Sequence, residues 1–429
     1  MNNNIIHSVT LDNDKCKGCT NCIKMCPTQA IRVRNKKAKI IKDLCIDCGE
    51  CIRVCPYHAK KAITDNFNMI HNYKYKIALP APAFYGQFDK AKDINSILNA
   101  LIKIGFDDVF EVAYAAQIVT KKTKELIKSG ELETPIINSA CPAVVKLIST
   151  KYPSLINNII PLISPMNLAA KLARYVAEEK TPYKGDEIGI FFITPCAAKA
   201  TCTKYPLGLK ESCIDGVFSF RDIYLKIIPH LKDDSRKNDI SKSGFDGVCW
   251  AISGGEVAAL DMENYIAVDG IHNVIHVLEE IENDKLADVE YIEALACVGG
   301  CVGGPLTVEN NFVAQTRIKK MAKTVQNKKE TTEDKDNVNM LWETPVFIRK
   351  PRILDDDMNV AMEKLAKIDE IYESLPRLDC GSCGAPNCLA LAEDIVKGYS
   401  KETDCIVKFK ERIAAIANEM LGVQEEDIK

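Results

Sequence analysis

Residues 291–304 read YIEALACVGGCVGG, a short apolar run that passes straight into two cysteines and four glycines. A run of this length, rich in strand-forming residues and closed by glycine, predicts a buried strand ending in a tight loop. Working outward, two more stretches share that layout: residues 135–142, PIINSACP, and residues 188–196, IGIFFITPC. Other apolar or β-branched runs fall at 76–79, 109–113 and 247–252, and amphipathic helical stretches such as 94–104 and 166–178 lie between them. That alternation predicts βαβ units and a mainly parallel sheet, an α/β fold. In open α/β sheets the ligand site lies beyond the carboxyl ends of the strands. Cys141, Cys196, Cys297 and Cys301 all sit at such ends and are expected to meet at one metal centre. A buried, inert thiol is the plain alternative for any one of them alone. Three matching junctions favour metal.

The flanking segments are richer still in cysteine. Cys16-x-x-Cys19-x-x-Cys22-x-x-x-Cys26-Pro27 recurs as Cys45-x-x-Cys48-x-x-Cys51-x-x-x-Cys55-Pro56, with an offset of 29 residues at every cysteine. Three thiolates on one tight loop can reach three irons of a cubane, and the fourth crosses to the other repeat's cluster; this is the bacterial ferredoxin pattern. It implies one 4Fe–4S cluster on Cys16, Cys19, Cys22 and Cys55, and a second on Cys45, Cys48, Cys51 and Cys26. Zinc ribbons, the alternative, close with four local ligands and do not cross over with this period. His58 after the second repeat reads as a surface histidine. Near the other end, residues 375–388, LPRLDCGSCGAPNC, place Cys380, Cys383 and Cys388 among glycines, with Cys405 following on a helical stretch. Four thiolates there suit another 4Fe–4S cluster or a zinc site. Residues 326–337, QNKKETTEDKDN, carry mixed charge and no apolar anchor, which reads as a solvated linker.

Composition removes several classes. The 429 residues are 47% hydrophobic and 27% charged, with a formal net charge of −3, so no basic surface points to nucleic acid. No apolar run reaches the roughly 18 residues of a membrane span, and residues 1–11 lack the layout of a signal peptide. With 19 cysteines and no export signal, a reducing, cytoplasmic setting is expected, in which metal rather than disulfide is the first reading. The expected domains are a ferredoxin-like segment at 1–72, a metal-centre domain at 73–325, a charged linker at 326–340 and a small iron–sulfur domain at 341–429.

With the three strand-end loops in hand, the chain resembles the [FeFe] (iron-only) hydrogenases. Their catalytic-domain signatures are TSCCPxW, MPCxxKxxE and ExMxCxxGCxxGG. The counterparts are Asn138-Ser139-Ala140-Cys141-Pro142, Thr194-Pro195-Cys196-Ala197-Ala198-Lys199, and the run from Glu293 to Gly304. The C-terminal cysteine motif is similar to cluster-binding modules attached to other anaerobic redox proteins. The resemblance implies an α/β and α+β multidomain protein: a ferredoxin-like domain, a central H-cluster domain with mainly parallel sheets, and a small C-terminal iron–sulfur domain. It implies that Cys141, Cys196, Cys297 and Cys301 hold the 4Fe–4S half of an H-cluster. Cys301 would also bridge to a diiron half bearing CO, cyanide and azadithiolate. Lys199, a compact cation with three donors, suits an iron-bound cyanide, and Gly303 and Gly304 would let backbone approach the diiron unit.

The departures define a branch. Ala140 stands where catalytic members carry a proton-relay cysteine, and Cys202 where the second signature has glutamate. Thr194 and Leu295 replace two methionines, and Val144 a tryptophan. Such losses resemble the sensory branch of the family. Candidate proton relays are Cys202 and Glu256, the latter just after Ser253-Gly254-Gly255; the alternatives are a packed thiol and a solvated helix-start carboxylate. Cys213 and Cys249 read as packed thiols.

The implied activity is H2 = 2 H+ + 2 e−, at a low rate and in a hydrogen-sensing role, with electrons relayed through 4Fe–4S clusters; the implied cofactors are the H-cluster and three 4Fe–4S clusters, two N-terminal and one C-terminal. The implied partners are a redox carrier such as ferredoxin, a separate signalling protein and the diiron maturation proteins. The alternative is a non-catalytic hydrogenase-like protein acting as a redox sensor or in cluster assembly.

Overall fold

The computed structural model describes residues 7–232, 239–325, 338–348 and 354–421; residues 326–337 of the expected linker lie outside them. Two compact units emerge. One comprises Met1–Val9, Ile46–Gly49 and Ala62–Ile348, the other Thr10–Cys45, Glu50–Lys61 and Arg349–Lys429. These units do not follow the boundaries read from the sequence. The loop 46–49 falls in the first unit, and so do residues 338–348, read from the sequence as the end of the linker (338–340) and the start of the C-terminal domain (341–348). There Leu341 bridges Leu162, and the Trp342 Nε1–H donates to the Leu162 carbonyl at 2.7 Å.

The first unit is built on two parallel sheets. In one, Ile188–Thr194 lies between Tyr75–Pro80 and Gly216–Ser219, and Asp108–Val109 forms the outer edge beside Tyr75–Pro80. Every residue of Ile188–Thr194 is buried. A strand covered on both faces needs no polar alternation, which is why IGIFFIT is almost uninterruptedly apolar. Phe191 stacks on Phe218 with ring centroids 5.5 Å apart, and Phe84 meets Phe88 edge-on at 4.9 Å. In the other sheet Tyr291–Leu295 lies between Tyr265–Asp269 and Ile136–Ile137. The crossover helices are closed by ordinary local chemistry: Asp93 accepts from Ser96 N at 2.8 Å to start Ile94–Lys103, and Gly130, at φ 69°, ends Val112–Ser129.

Two expected strands are corrected. Residues 247–252 lie not in a strand but in and after the short helix Phe245–Cys249. Gly247 packs so closely there that a Cβ would meet the Ala113 carbonyl oxygen at 2.1 Å. A short apolar run cannot distinguish the two states by periodicity. Only Asp108–Val109 of the run near 109–113 is extended, and the helix starts at Val112. The strands Gly216–Ser219 and Tyr265–Asp269 were not foreseen.

The second unit is held by a hairpin and by charge. Ile31–Arg34 pairs antiparallel with Lys37–Ile40, and the turn residues Asn35 and Lys36 both have positive φ (51° and 59°), as a two-residue turn with the strands' own twist requires. Three helices follow later in the chain: Met358–Ser374, Cys388–Val396 and Ile406–Leu421. Asp394 on the second of these receives Arg32 Nε at 2.7 Å and Arg34 Nη2 at 2.8 Å, a largely buried three-residue ion cluster.

Candidate metal centre

Cys141, Cys196, Cys297 and Cys301 are each delivered by a strand end, as the sequence suggested. Cys141 follows Ile136–Ile137 and starts the helix Pro142–Lys151, whose proline occupies the first turn, where its missing N–H costs nothing. Cys196 follows Ile188–Thr194; its N–H donates to Thr194 Oγ1 at 3.1 Å, and its Sγ accepts from Lys199 N at 3.5 Å at the start of Ala197–Cys202. Cys297 and Cys301 follow Tyr291–Leu295 in a turn where Gly300 N donates to Cys297 O at 3.0 Å. Gly300 must be glycine: φ is 89°, and a Cβ would stand 2.6 Å from Ser253 N.

All four cysteines line one cavity, together with Ala140, Lys199, Glu256 and Glu293. Burial drives the Cys196 thiol well above its usual range, with Cys297 and Cys141 adding to the shift, and burial also raises Cys301. Thiols so placed become thiolates only when a metal replaces their protons. Gly304 lines the cavity and backs onto Pro195, whose carbonyl oxygen a Cβ would meet at 2.4 Å. Gly303 is not among the lining residues; its missing side chain makes room for the Val298 carbonyl, which a Cβ would meet at 2.1 Å.

Two carboxyls face this cavity from buried positions. Glu256 is 4% exposed; it receives the Tyr291 hydroxyl at 2.6 Å and Asn138 Nδ2 at 2.8 Å. Burial raises its pKa against the pull of those hydrogen bonds and of Lys199. Glu293, 1% exposed, receives Gly254 N and Val257 N, each at 3.0 Å. Burial, and then the charge of Glu256, push it up to about 8. The helix-start glutamate at 256 is therefore not solvated. Cys202 is placed differently from expectation: it is 2% exposed in the apolar core and is not a lining residue. It closes the six-residue helix Ala197–Cys202, packed in the core cluster rather than on the cavity wall.

Cys48 also lines the cavity, and its loop is fastened there by Asp47. Asp47 is 1% exposed and accepts from Lys146 Nζ at 2.7 Å, Thr201 Oγ1 at 2.9 Å, Ser8 N at 3.0 Å and Val9 N at 3.3 Å. Lys146 lies on the helix that follows Cys141, and Thr201 on the one that follows Cys196. One carboxylate thus joins the loop of Cys48 to two of the strand-end loops.

In the second unit, Cys16, Cys19, Cys22 and Cys55 surround one small pocket, the crossed set that the repeat implied. Burial raises the Cys22 thiol to about 11, with Cys19, Cys16 and Cys55 adding to it. Burial likewise raises Cys51, and Cys26 and Cys45 contribute. Lys60 reaches into the same pocket, 3% exposed, and its Nζ has no hydrogen-bond partner among the described residues. A lone buried ammonium is costly unless an anion completes the site, and a thiolate-bound cluster is such an anion. The donor sets therefore fit iron–sulfur clusters. His58 is exposed. Cys249 is buried and raised to about 11 by burial, and Cys213 is half-buried, as packed thiols would be.

Residues 74–305 match the family described as iron-only hydrogenase large subunit, C-terminal domain. The chain belongs to that family. Residues 8–56 match a 4Fe–4S dicluster domain and residues 375–407 a putative Fe–S cluster module. The hydrogenase-family chain is 26% identical over 364 residues to the periplasmic [Fe] hydrogenase large subunit of Nitratidesulfovibrio vulgaris, covering 70% of this chain and 86% of that one. It is 25% identical over 374 residues to iron hydrogenase 1 of Clostridium pasteurianum, covering 69% of this chain and 64% of the relative. Among solved structures, the [FeFe]-hydrogenase HydA1 of Chlamydomonas reinhardtii aligns with a TM-score of 0.43 at 16% identity, over 62% of this chain and 86% of that one. No described helix is long and apolar enough to cross a membrane.

Proposed function

We propose that this hydrogenase-family chain interconverts dihydrogen with two protons and two electrons, at a low rate and as a hydrogen sensor of the family's sensory branch. The observation that carries the reading is the single cavity in which four cysteines, Lys199 and a buried carboxyl pair meet. Cys141, Cys196, Cys297 and Cys301 would hold an H-cluster, with Cys301 shared with its diiron half. Bound there, the cluster would supply the making and breaking of the H–H bond.

The chain's own residues supply the rest. Lys199 offers three donors to an anionic ligand in a dry site, where each hydrogen bond is strong. Glu256, its carboxyl oriented by the hydrogen bonds it accepts from Tyr291 and Asn138, is the second proton-carrying group at the cavity. Glu293, raised toward neutral pH, can exchange a proton within the working range. Cys48, a cysteine of the second ferredoxin-type repeat, also lines the cavity. Ala140 also lines the cavity and cannot pass a proton, which supports the low rate and hence sensing over bulk turnover. Such a sensor would need the diiron maturation proteins, an electron carrier such as ferredoxin and a separate signalling protein.

The test is infrared spectroscopy after maturation with the diiron precursor. Bands of iron-bound CO and cyanide are expected, with about 18 iron atoms per chain for three cubanes and one six-iron H-cluster. Correctly matured protein without those bands would be a non-catalytic iron–sulfur protein, and the assignment would fall.

A further inference from the structure

The C-terminal cysteine module does not stand apart from the ferredoxin-type segment of its own unit. Its four cysteines gather first: Cys388 and Cys405 are buried in one apolar cluster with Cys383 packed against it, and Cys380 and Cys405 both add to the burial that raises the Cys383 thiol. The loop that carries them then meets the first cluster's hairpin. Val33 N donates to the Gly384 carbonyl at 2.8 Å, and Arg34 Nη1 donates to the Cys383 carbonyl at 2.8 Å. Arg32 and Arg34, on the same strand, share the buried Asp394 of the module.

Two glycines make the approach possible. Gly384 has φ 80°, and a Cβ there would stand 1.9 Å from the Val33 carbonyl oxygen. A Cβ at Gly381 would touch Ile23 Cδ1 at 3.4 Å. Gly381 is the residue after Cys380, and Ile23 the residue after Cys22. Ile23 Cδ1 thus occupies the space beside the bare Gly381 backbone, and each of these two residues is one peptide step of about 3.8 Å from a cluster ligand. A strand hydrogen bond, a carbonyl held by a guanidinium and a shared buried carboxylate make this a specified contact, because each polar group is satisfied by the other module.

We propose that the C-terminal cluster is an electron port, exchanging single electrons with the cluster on Cys16, Cys19, Cys22 and Cys55. In each exchange the reduced C-terminal 4Fe–4S cluster loses one electron and the oxidised neighbour gains it; no bond forms or breaks and no proton moves. The C-terminal cluster is refilled by, or drained to, a low-potential one-electron carrier of the iron–sulfur or flavin class, which can approach at the exposed Cys380. Two exchanges match the two electrons of dihydrogen. Only that last use rests on the hydrogenase reading; the coupling between the clusters does not.

The experiment is electron paramagnetic resonance on chemically reduced, full-length holoprotein of verified iron content. The spectrum of a Cys388→Ala/Cys405→Ala variant, with about four fewer irons, is subtracted to isolate the C-terminal cluster. The expected difference spectrum is broadened and fast-relaxing through a spin neighbour. In Gly384→Ala, which keeps every cysteine and the full iron content, that broadening should be lost as the loop is driven off Val33. A narrow, slowly relaxing difference signal that Gly384→Ala leaves unchanged would overturn the proposal. Missing CO and cyanide bands would overturn the hydrogenase reading and leave these spectra as they are, so the two failures are distinguishable.

Discussion

Replacing Asp47 by asparagine tests whether one buried carboxylate ties the Cys48 loop to the strand-end loops of Cys141 and Cys196. Asparagine keeps an acceptor for Ser8 N and Val9 N but removes the counter-charge of Lys146, which is 4% exposed and 2.7 Å away. Stranding one member of a buried ion pair costs about 3–5 kcal/mol. At 1.36 kcal/mol per tenfold, local opening should become roughly 10²- to 10³-fold more frequent or greater. The assay is amide hydrogen exchange on the cluster-loaded protein, read at residues 8–9, 46–49 and 142–151. Exchange should accelerate there while the strand Ile188–Thr194, away from the pair, keeps its protection. Asp47→Asn/Lys146→Met removes both charges and should recover most of the loss, because a neutral pair of similar volume carries no stranded ammonium. Acceleration below about threefold in the single variant, under 1 kcal/mol, would refute the reasoning.

Two further expectations concern the carboxyl pair. Glu256→Gln should lower hydrogen turnover about 10²-fold or more with unchanged CO and cyanide bands, whereas Cys202→Ala, away from the cavity lining, should stay within about threefold; equal effects from the two would discard Glu256 as a relay. Glu293, raised to about 8, keeps its proton in the folded chain while the unfolded chain releases it near 4.5. Folding therefore takes up a proton between those values, and stability should fall as pH rises through the window, by a few kcal/mol at most, roughly 1.4 kcal/mol per pH unit. Denaturation midpoints from pH 5 to 8 should be flatter in Glu293→Gln; an identical slope would show that Glu293 is already ionised in the folded state.

What could be read from the chain alone was whatever local geometry dictates. Ligand spacing on a loop is a rigid constraint, so the crossed set Cys16, Cys19, Cys22 and Cys55 was legible and is found around one pocket. The three strand-to-cysteine junctions were legible for the same reason, since a buried parallel strand announces itself by its apolar run. Asp47 was not legible. It sits between two ligand cysteines like any polar loop residue, and its partners Lys146 and Thr201 are distant in sequence. Glu293 was quoted as part of a signature and given no role, although a carboxylate inside YIEAL is anomalous: a buried charge must find partners or hold a proton. Cys202 failed in the opposite direction. Its alignment with a signature glutamate suggested a relay, but the side chain packs in the apolar core and does not line the cavity.

Ala140 and the carboxyl pair bear on each other. A thiol at 140 would add a further proton-carrying group to the cavity wall. With alanine there, the titratable carboxyls on the cavity wall are Glu256 and Glu293, and their pKa values depend on each other because both are buried. Releasing a proton from one makes release from the other harder, since a second negative charge would enter a low-dielectric site. Under the proposed function, proton delivery through such a pair would be self-limiting, because the second proton must wait for resupply. A sensor needs only to register hydrogen, so this arrangement suits slow exchange where a high-flux enzyme would be throttled by it.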